Sequence, residues 1–113
     1  MKVAITYDKE TNSVFQHFGR TEYFYIFDTE SNEEQIVDNG GNSHHDLVGY
    51  LKSLGVEVLI CGGLGSHAVA FLSEVNIDVI PGAYGLVDDV IKEYKEGALI
   101  ADPNAMHECS HHH

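Results

Sequence analysis

The sequence predicts one α/β domain with a mixed five-stranded sheet and three helices. Two observations support this: β-type runs separated by short polar loops in the first third, and later apolar runs that alternate with segments of helical periodicity. Short hairpins make the first three strands antiparallel neighbours, whereas helical crossovers make the last two strands parallel to the first. The expected strand order is therefore 3-2-1-4-5, with the second strand antiparallel to the others.

The elements follow from local patterns along the chain. Ser43 is a plausible N-cap for the first helix, and Gly55 and Gly97 end the first and third helices. The second helix opens at Ser66 and carries an apolar face. Strands are expected at residues 2–7, 23–28, 35–38, 56–60 and 77–80, the first helix at about 44–54, the folded domain over 1–97, and a flexible tail containing His and Cys over 98–113.

Composition limits the classes of partner. Eighteen acidic residues against six basic ones give a formal charge of -12, so a broad contact with a nucleic-acid backbone is not expected. The two cysteines lie far apart, and the chain shows neither a membrane-spanning apolar stretch nor a signal segment. We expect a cytoplasmic protein that binds neither nucleic acid nor membrane.

The predicted strand order brings the loops that follow strands one, three, four and five to one edge of the sheet. Open α/β sheets bind ligands at the carboxyl ends of their strands. Adjacent histidines at the start of a helix point about 100° apart and do not readily chelate one metal ion together. Five ligand-type side chains fall on loops at this edge: His17, His44, His45, Cys61 and His67.

A glycine-rich turn joins the fourth strand to the second helix. Gly62, Gly63 and Gly65 at a helix N-terminus suit an anion bound by backbone N–H groups, and the loop with Gly82 and Gly85 repeats the theme. No Gly-Lys-Ser/Thr sequence follows, so the turn is not a Walker loop. Cys61 is either a core residue or a thiolate whose pKa is lowered by the helix N-terminus, and His67 is either idle or a second ligand.

The segment Gln-His-Phe-Gly-Arg offers an imidazole beside a fixed positive charge. His17 is either a surface histidine or, between Phe15 and Phe18, an immobilised ligand, and Arg20 would attract an anion. Gly19 permits the turn between them.

Together with the Cys-Gly-Gly-Leu-Gly-Ser-His-Ala and Pro-Gly-Ala-Tyr-Gly segments, this motif resembles the dinitrogenase iron-molybdenum cofactor biosynthesis family over about residues 1–97. The resemblance implies a ribonuclease H-like fold and a non-enzymatic role in binding, carrying or assembling an iron-sulfur or iron-molybdenum-sulfur cluster. That cluster would be transient cargo exchanged with donor or acceptor proteins. Related orange proteins hold a molybdenum-copper sulfide cluster.

The resemblance implies that His17 is the leading cluster ligand. From the residues themselves, Cys61, His67 and His45 are expected as further metal ligands. The expected cofactor-binding set comprises His17, Phe18, Gly19, Arg20, Cys61, Gly62, Gly63, Gly65, His67, Gly82 and Gly85.

Two other functions remain open from the sequence. One is a small phosphate- or nucleotide-binding enzyme that uses the glycine loops. The other is divalent-metal sequestration by His107, Cys109 and His111 in the tail, where the final three histidines also fit a purification-tag remnant. The tail starts at the edge opposite the site, although ten extended residues reach about 33 Å.

Overall fold

A computed structural model describes residues 1–42, 44–99, 101 and 106–107. The predicted N-cap Ser43 therefore lies outside the described residues. The strands are β1 (Lys2–Asp8), β2 (Ser13–Val14), β3 (Tyr23–Asp28), β4 (Glu34–Asp38), β5 (Val56–Ile60), β6 (Leu64–Gly65), β7 (Asp78–Ile80) and β8 (Met106–His107). The helices are α1 (His44–Ser53), α2 (Ser66–Glu74) and α3 (Val87–Lys95), with one 3-10 turn at Phe18–Arg20.

The main sheet has the order β4-β3-β1-β5-β7. β3 is antiparallel to both β1 and β4, while β5 is parallel to both β1 and β7. Numbered without the two-residue strands, this is the predicted order 3-2-1-4-5 with the predicted directions. The expected ribonuclease H-like arrangement is confirmed.

Three short strands were not predicted. β2 pairs with the end of β1, where Tyr7 lies opposite Val14. β6 and β8 form a separate parallel pair, with Leu64 opposite Met106 and Gly65 opposite His107. The tail was expected to start away from the site, but at residues 106–107 its backbone lies beside the start of α2, because β6 leaves the main sheet and pairs with this segment.

The sheet separates two apolar layers, because successive strand residues face opposite sides. Ala4 and Leu59 face α1 and α2, where they share a core with Leu51 and Leu72. The other layer packs against α3; it contains Val3, Ile5, Ile60, Val87, Val90 and Ile91. Among the described residues, no helix combines the length and apolar character needed to cross a membrane.

Shortening a core side chain of β5 tests this arrangement. Leu59 is fully buried in the central part of the sheet. Leu59→Ala should lower the free energy of unfolding by about 2–5 kcal/mol through lost burial and a residual cavity. Ile36→Ala on the half-exposed edge strand β4 should cost less than about 1 kcal/mol. Equal losses in denaturant titrations would contradict the assignment of the core.

Candidate functional site

The loop that carries His17 is anchored to β1 by a buried threonine. The Thr6 hydroxyl donates to the Phe15 carbonyl at 2.7 Å, and the Phe15 N–H donates to the Thr6 carbonyl at 2.8 Å. Thr6 is buried in a run of apolar residues, where its hydroxyl needs a partner. The loop therefore leaves the sheet edge from a fixed point directly before Gln16 and His17.

The same loop is fixed a second time by the turn after β5. The Gly63 N–H donates to the Gln16 carbonyl at 2.7 Å, and the Phe18 N–H donates to the Gly63 carbonyl at 3.0 Å. These two bonds form a parallel bridge between His17 and Gly63. The backbone of His17 is thus held on both sides, although its side chain remains exposed.

The opposite side of this turn holds the loop that follows β7. The Ala83 N–H donates to the Cys61 carbonyl at 3.0 Å, and the Gly82 N–H donates to the Gly62 carbonyl at 2.7 Å. The Gln16 side-chain amide also donates to the Ala83 carbonyl at 3.3 Å. We call the segments 15–18, 61–63 and 82–83, joined by these bonds, the backbone clamp.

Close packing in the backbone clamp explains one of the glycines. A Cβ built on Gly62 would lie 2.7 Å from the Gln16 Cα, which is too close for any side chain. Gly82 and Gly85 have φ values of +84° and +95°, in the left-handed region that glycine adopts without strain. All three are therefore required by backbone geometry before any ligand is considered.

The backbone clamp also uses N–H groups that the sequence predicted as donors to an anion. The N–H groups of Gly63 and Gly82 are donated to protein carbonyls. An anion could use them only by breaking the clamp. This gives no support to a nucleotide-binding enzyme built on these glycine loops.

His17 and Arg20 are both exposed at the two ends of one turn. The His17 ring packs edge-on against Phe15, with ring centroids 6.3 Å apart, as the flanking aromatic residues suggested. Phe18 points inward, is 1% exposed and joins the core cluster of Leu47 and Phe24. Phe18 is thus an anchor of the loop, while Gly19 is exposed.

The start of α2 contributes a further positive field. Gly65 is the N-cap and His67 lies exposed in the first turn. Because a glycine cap has no side chain to accept hydrogen bonds, the positive end of the helix dipole is left without a side-chain cap. Gly65 is also the residue paired with His107 in the tail.

Of the two roles predicted for Cys61, the structure agrees with the core residue. Cys61 is 0% exposed and belongs to the core between the sheet, α1 and α2. Burial raises the pKa of its thiol from 9.0 to about 12. The alternative, a thiolate whose pKa is lowered by the helix N-terminus, disagrees with this burial, because the loss of hydration dominates.

The described side chains do not form a metal site. Among residues 1–42, 46–99 and 101, whose side chains the structure describes, no three or more His, Cys, Asp or Glu residues are arranged to hold a metal ion. His45 is on the first turn of α1, but its side chain lies outside the described part of the structure, as do those of His44 and His107. Cys109 and His111 lie outside it altogether.

Two residues that position the site were missed by sequence reasoning. Thr6 and Gln16 bind the loops together, yet neither was predicted as a site residue. A polar residue inside an otherwise apolar strand was the available signal for Thr6. Gln16 begins the Gln-His-Phe-Gly-Arg segment, but nothing in that segment indicates that its amide joins two loops.

The comparison with family models identifies a family for most of the chain. The family model for dinitrogenase iron-molybdenum cofactor proteins matches residues 1–97. A curated relative, an uncharacterized protein of Methanocaldococcus jannaschii, is 30% identical over 107 residues that cover 88% of this chain and 89% of the relative.

Solved structures share the fold. The crystal structure of a protein named PH0822 matches with a TM-score of 0.84 at 31% identity, covering 92% of this chain and 96% of that chain. The NMR structure of a Thermotoga protein, described as a NifB candidate of the DUF35 family, has a TM-score of 0.73 at 32% identity over 88% and 91% of the two chains. The apo orange protein of Desulfovibrio gigas, at 23% identity and a TM-score of 0.79 over 90% and 92%, shares the fold alone.

A methyl group on Gly62 should disrupt the backbone clamp. Gly62→Ala is expected to lower the free energy of unfolding by about 1–3 kcal/mol, because the Gln16 backbone must move. Gly49→Ala is the matched control, since nothing lies within 4 Å of its Cβ on α1, and it should stabilise by about 0.5–1 kcal/mol. Thermal unfolding measures the stability of both variants. An unchanged stability of Gly62→Ala would contradict the close contact between Gly62 and Gln16.

Burial should protect Cys61 from alkylation. Because only the thiolate reacts and the folded-state pKa is raised to about 12, labelling by iodoacetamide should stay slow through pH 9 and accelerate only toward pH 12. The measurement uses the full chain with Cys109→Ser, with the guanidinium-unfolded protein as the reactive reference. Rapid labelling of the folded protein at pH 8 would show that Cys61 is accessible.

Proposed function

The chain belongs to the dinitrogenase iron-molybdenum cofactor family, and on that premise we propose that it carries or helps to assemble an iron-sulfur or iron-molybdenum-sulfur cluster. The cluster is cargo, which the protein receives from one protein and passes to another. The observation that supports this most directly is an exposed imidazole, His17, on a loop whose backbone is fixed on both sides. The protein itself catalyses no reaction in this proposal.

A fixed loop makes His17 a better ligand than a mobile surface histidine. The bonds from Gln16 and Phe18 to Gly63 remove most of the backbone freedom that ligation would otherwise have to restrict. Contact with Phe15 limits the rotation of the ring. Folding therefore orders the His17 side chain largely before the cargo binds, which lowers the loss of conformational entropy on binding.

Local charge supports an anionic cargo even though the whole chain is acidic. Arg20 ends the turn that begins after His17, and the start of α2 presents its positive dipole end at the neighbouring loop. At physiological ionic strength, charges beyond about 8 Å are largely screened. Arg20 and the start of α2 thus supply positive charge beside His17 that the formal charge of -12 does not describe.

Among the side chains that the structure describes, few exposed ligands lie near the clamp, and this favours carriage over permanent binding. Cys61 is buried in the core, so the exposed ligands described there are His17 and, at the start of α2, His67. A cluster held by few protein bonds keeps positions open for a donor or acceptor to attack. This is the property that a transfer protein needs.

The tail provides an alternative source of metal ligands that must be separated experimentally. Residues 106–107 pair with the segment just before α2, so the tail backbone reaches the same side of the protein as His67. Any metal taken up by His107, Cys109 or His111 would then be counted together with cluster binding. A variant of the full chain with these three residues replaced by alanine separates the two contributions.

Cluster uptake should depend on His17. After anaerobic reconstitution, the His17→Ala variant is expected to lose the visible absorption and bound sulfide of the wild-type chain, because the fixed ligand is gone. His67→Ala, which removes the second exposed imidazole, should reduce the uptake less than His17→Ala, since the imidazole on α2 lacks the backbone clamp. The triple alanine variant of the tail is the control and should retain the uptake.

Circular dichroism shows whether each variant keeps its fold. Unchanged absorption and sulfide content in folded His17→Ala would remove His17 from the site. Loss of uptake only in the tail variant would favour metal sequestration by the tail instead.

A further inference from the structure

A groove of about 440 Å³ opens beside the His17 loop, at the carboxyl end of β1. Three aromatic side chains line it: Tyr7, Phe15 and Tyr23. Tyr7 is buried and its hydroxyl donates to the Asn12 side chain at 2.6 Å, so mainly its ring faces the groove. Aromatic rings therefore form much of the lining of the groove.

Three acidic residues also line the groove: Asp8, Glu10 and Glu22. One basic residue, Lys9, lines it with them. The Asp8 carboxylate also accepts the Glu10 N–H at 3.0 Å, which fixes the turn that carries two of these charges. Aromatic rings surrounded by carboxylates attract a cation both through the ring faces and through direct charge.

Lys9 shows where such a cation rests. Its Nζ lies 5.0 Å from the centroid of the Tyr23 ring, within the range of a cation–π interaction. The chain thus places its own ammonium over one wall of the groove. An arriving lysine or arginine side chain would displace Lys9 and take the same position.

The groove shares a wall with the proposed cargo site. Phe15 lines the groove, and its ring also contacts the ring of His17. Its backbone is held by Thr6, so the two sites keep a fixed relation. A partner bound in the groove would sit directly beside His17.

We propose that this groove docks a basic segment of the protein that delivers or receives the cargo, by taking one arginine or lysine side chain over Tyr23 between the carboxylates. The groove follows from the structure alone, whereas the role of the partner rests on the proposed function. Charge complementarity favours this occupant, because a chain with a formal charge of -12 repels a second copy of itself.

A short peptide tests the groove without any knowledge of the partner. The probe is a capped pentapeptide with one arginine flanked by glycines, and the same peptide with citrulline is the uncharged control. In ¹H–¹⁵N correlation spectra of the full chain, the arginine peptide should shift the amides of Asp8, Lys9, Glu10, Glu22 and Tyr23. The citrulline peptide should not.

Two pairs of variants make the test specific. Lys9→Ala should tighten peptide binding about two- to fivefold, since it removes the internal competitor over Tyr23. Lys92→Ala makes the same change in charge on α3, outside the groove, and should leave the affinity unchanged. Glu22→Gln should weaken binding, whereas Glu57→Gln, at the exposed position of β5, should not.

Other outcomes would overturn the proposal. Weaker binding in Lys9→Ala, or shifts spread over the acidic residues of α3, would show that the peptide follows overall charge rather than the groove. Shifts that appear on concentration without peptide would identify a second copy of the chain as the occupant. Cluster uptake is measured on the same variants without peptide, so failure of the cargo proposal is seen separately from failure of the groove.

Discussion

The turn at Gly62–Gly63 is hydrogen-bonded on both sides, and all three loops at the candidate edge depend on it. One side receives Gln16 and Phe18, and the other receives Gly82 and Ala83. These hydrogen bonds continue the parallel pairing of β5 beyond the regular sheet. They join loops that lie far apart in the sequence. Because a methyl group at Gly62 would overlap the Gln16 backbone, the arrangement requires a glycine there.

The same constraint determines which groups a ligand can meet. Backbone N–H groups that would otherwise bind an anion are used to hold the loops, and Cys61 is enclosed by them with a raised pKa. Among the described side chains of these loops, the imidazoles of His17 and His67 and the guanidinium of Arg20 remain exposed. Backbone groups thus hold the loops in place, while exposed side chains stay free to contact a ligand. This division would suit the proposed cargo, which is bound and then released.

Local patterns were sufficient for the sheet but not for the site. Hydrophobic runs and connection lengths predicted the order and direction of the five main strands, because each buries apolar residues against helices at known positions. The loop containing His17 was placed at the correct edge for the same reason. The attachment of this loop to Gly63 depends on contacts between distant segments, which local patterns do not show. The burial of Cys61 depends on such contacts as well, because a predicted helix N-terminus does not reveal how deeply the preceding thiol is buried. The pairing of residues 106–107 with β6 likewise has no local signal.

An acidic protein can still present positive charge locally, and the distribution of its charged groups shows how. Arg20 and the start of α2 lie along the loops that hold His17, while Asp8, Glu10 and Glu22 line the groove that contains Phe15. Under the proposed function, a partner that handles an anionic cluster carries positive groups of its own, which the acidic groove would attract. Phe15 belongs to the groove and also contacts the His17 ring, so a basic side chain bound in the groove would lie close to the cargo and would offset the nearby carboxylates. The formal charge of -12 would promote the encounter with that partner, and Arg20 and the start of α2 would supply positive charge beside the cargo.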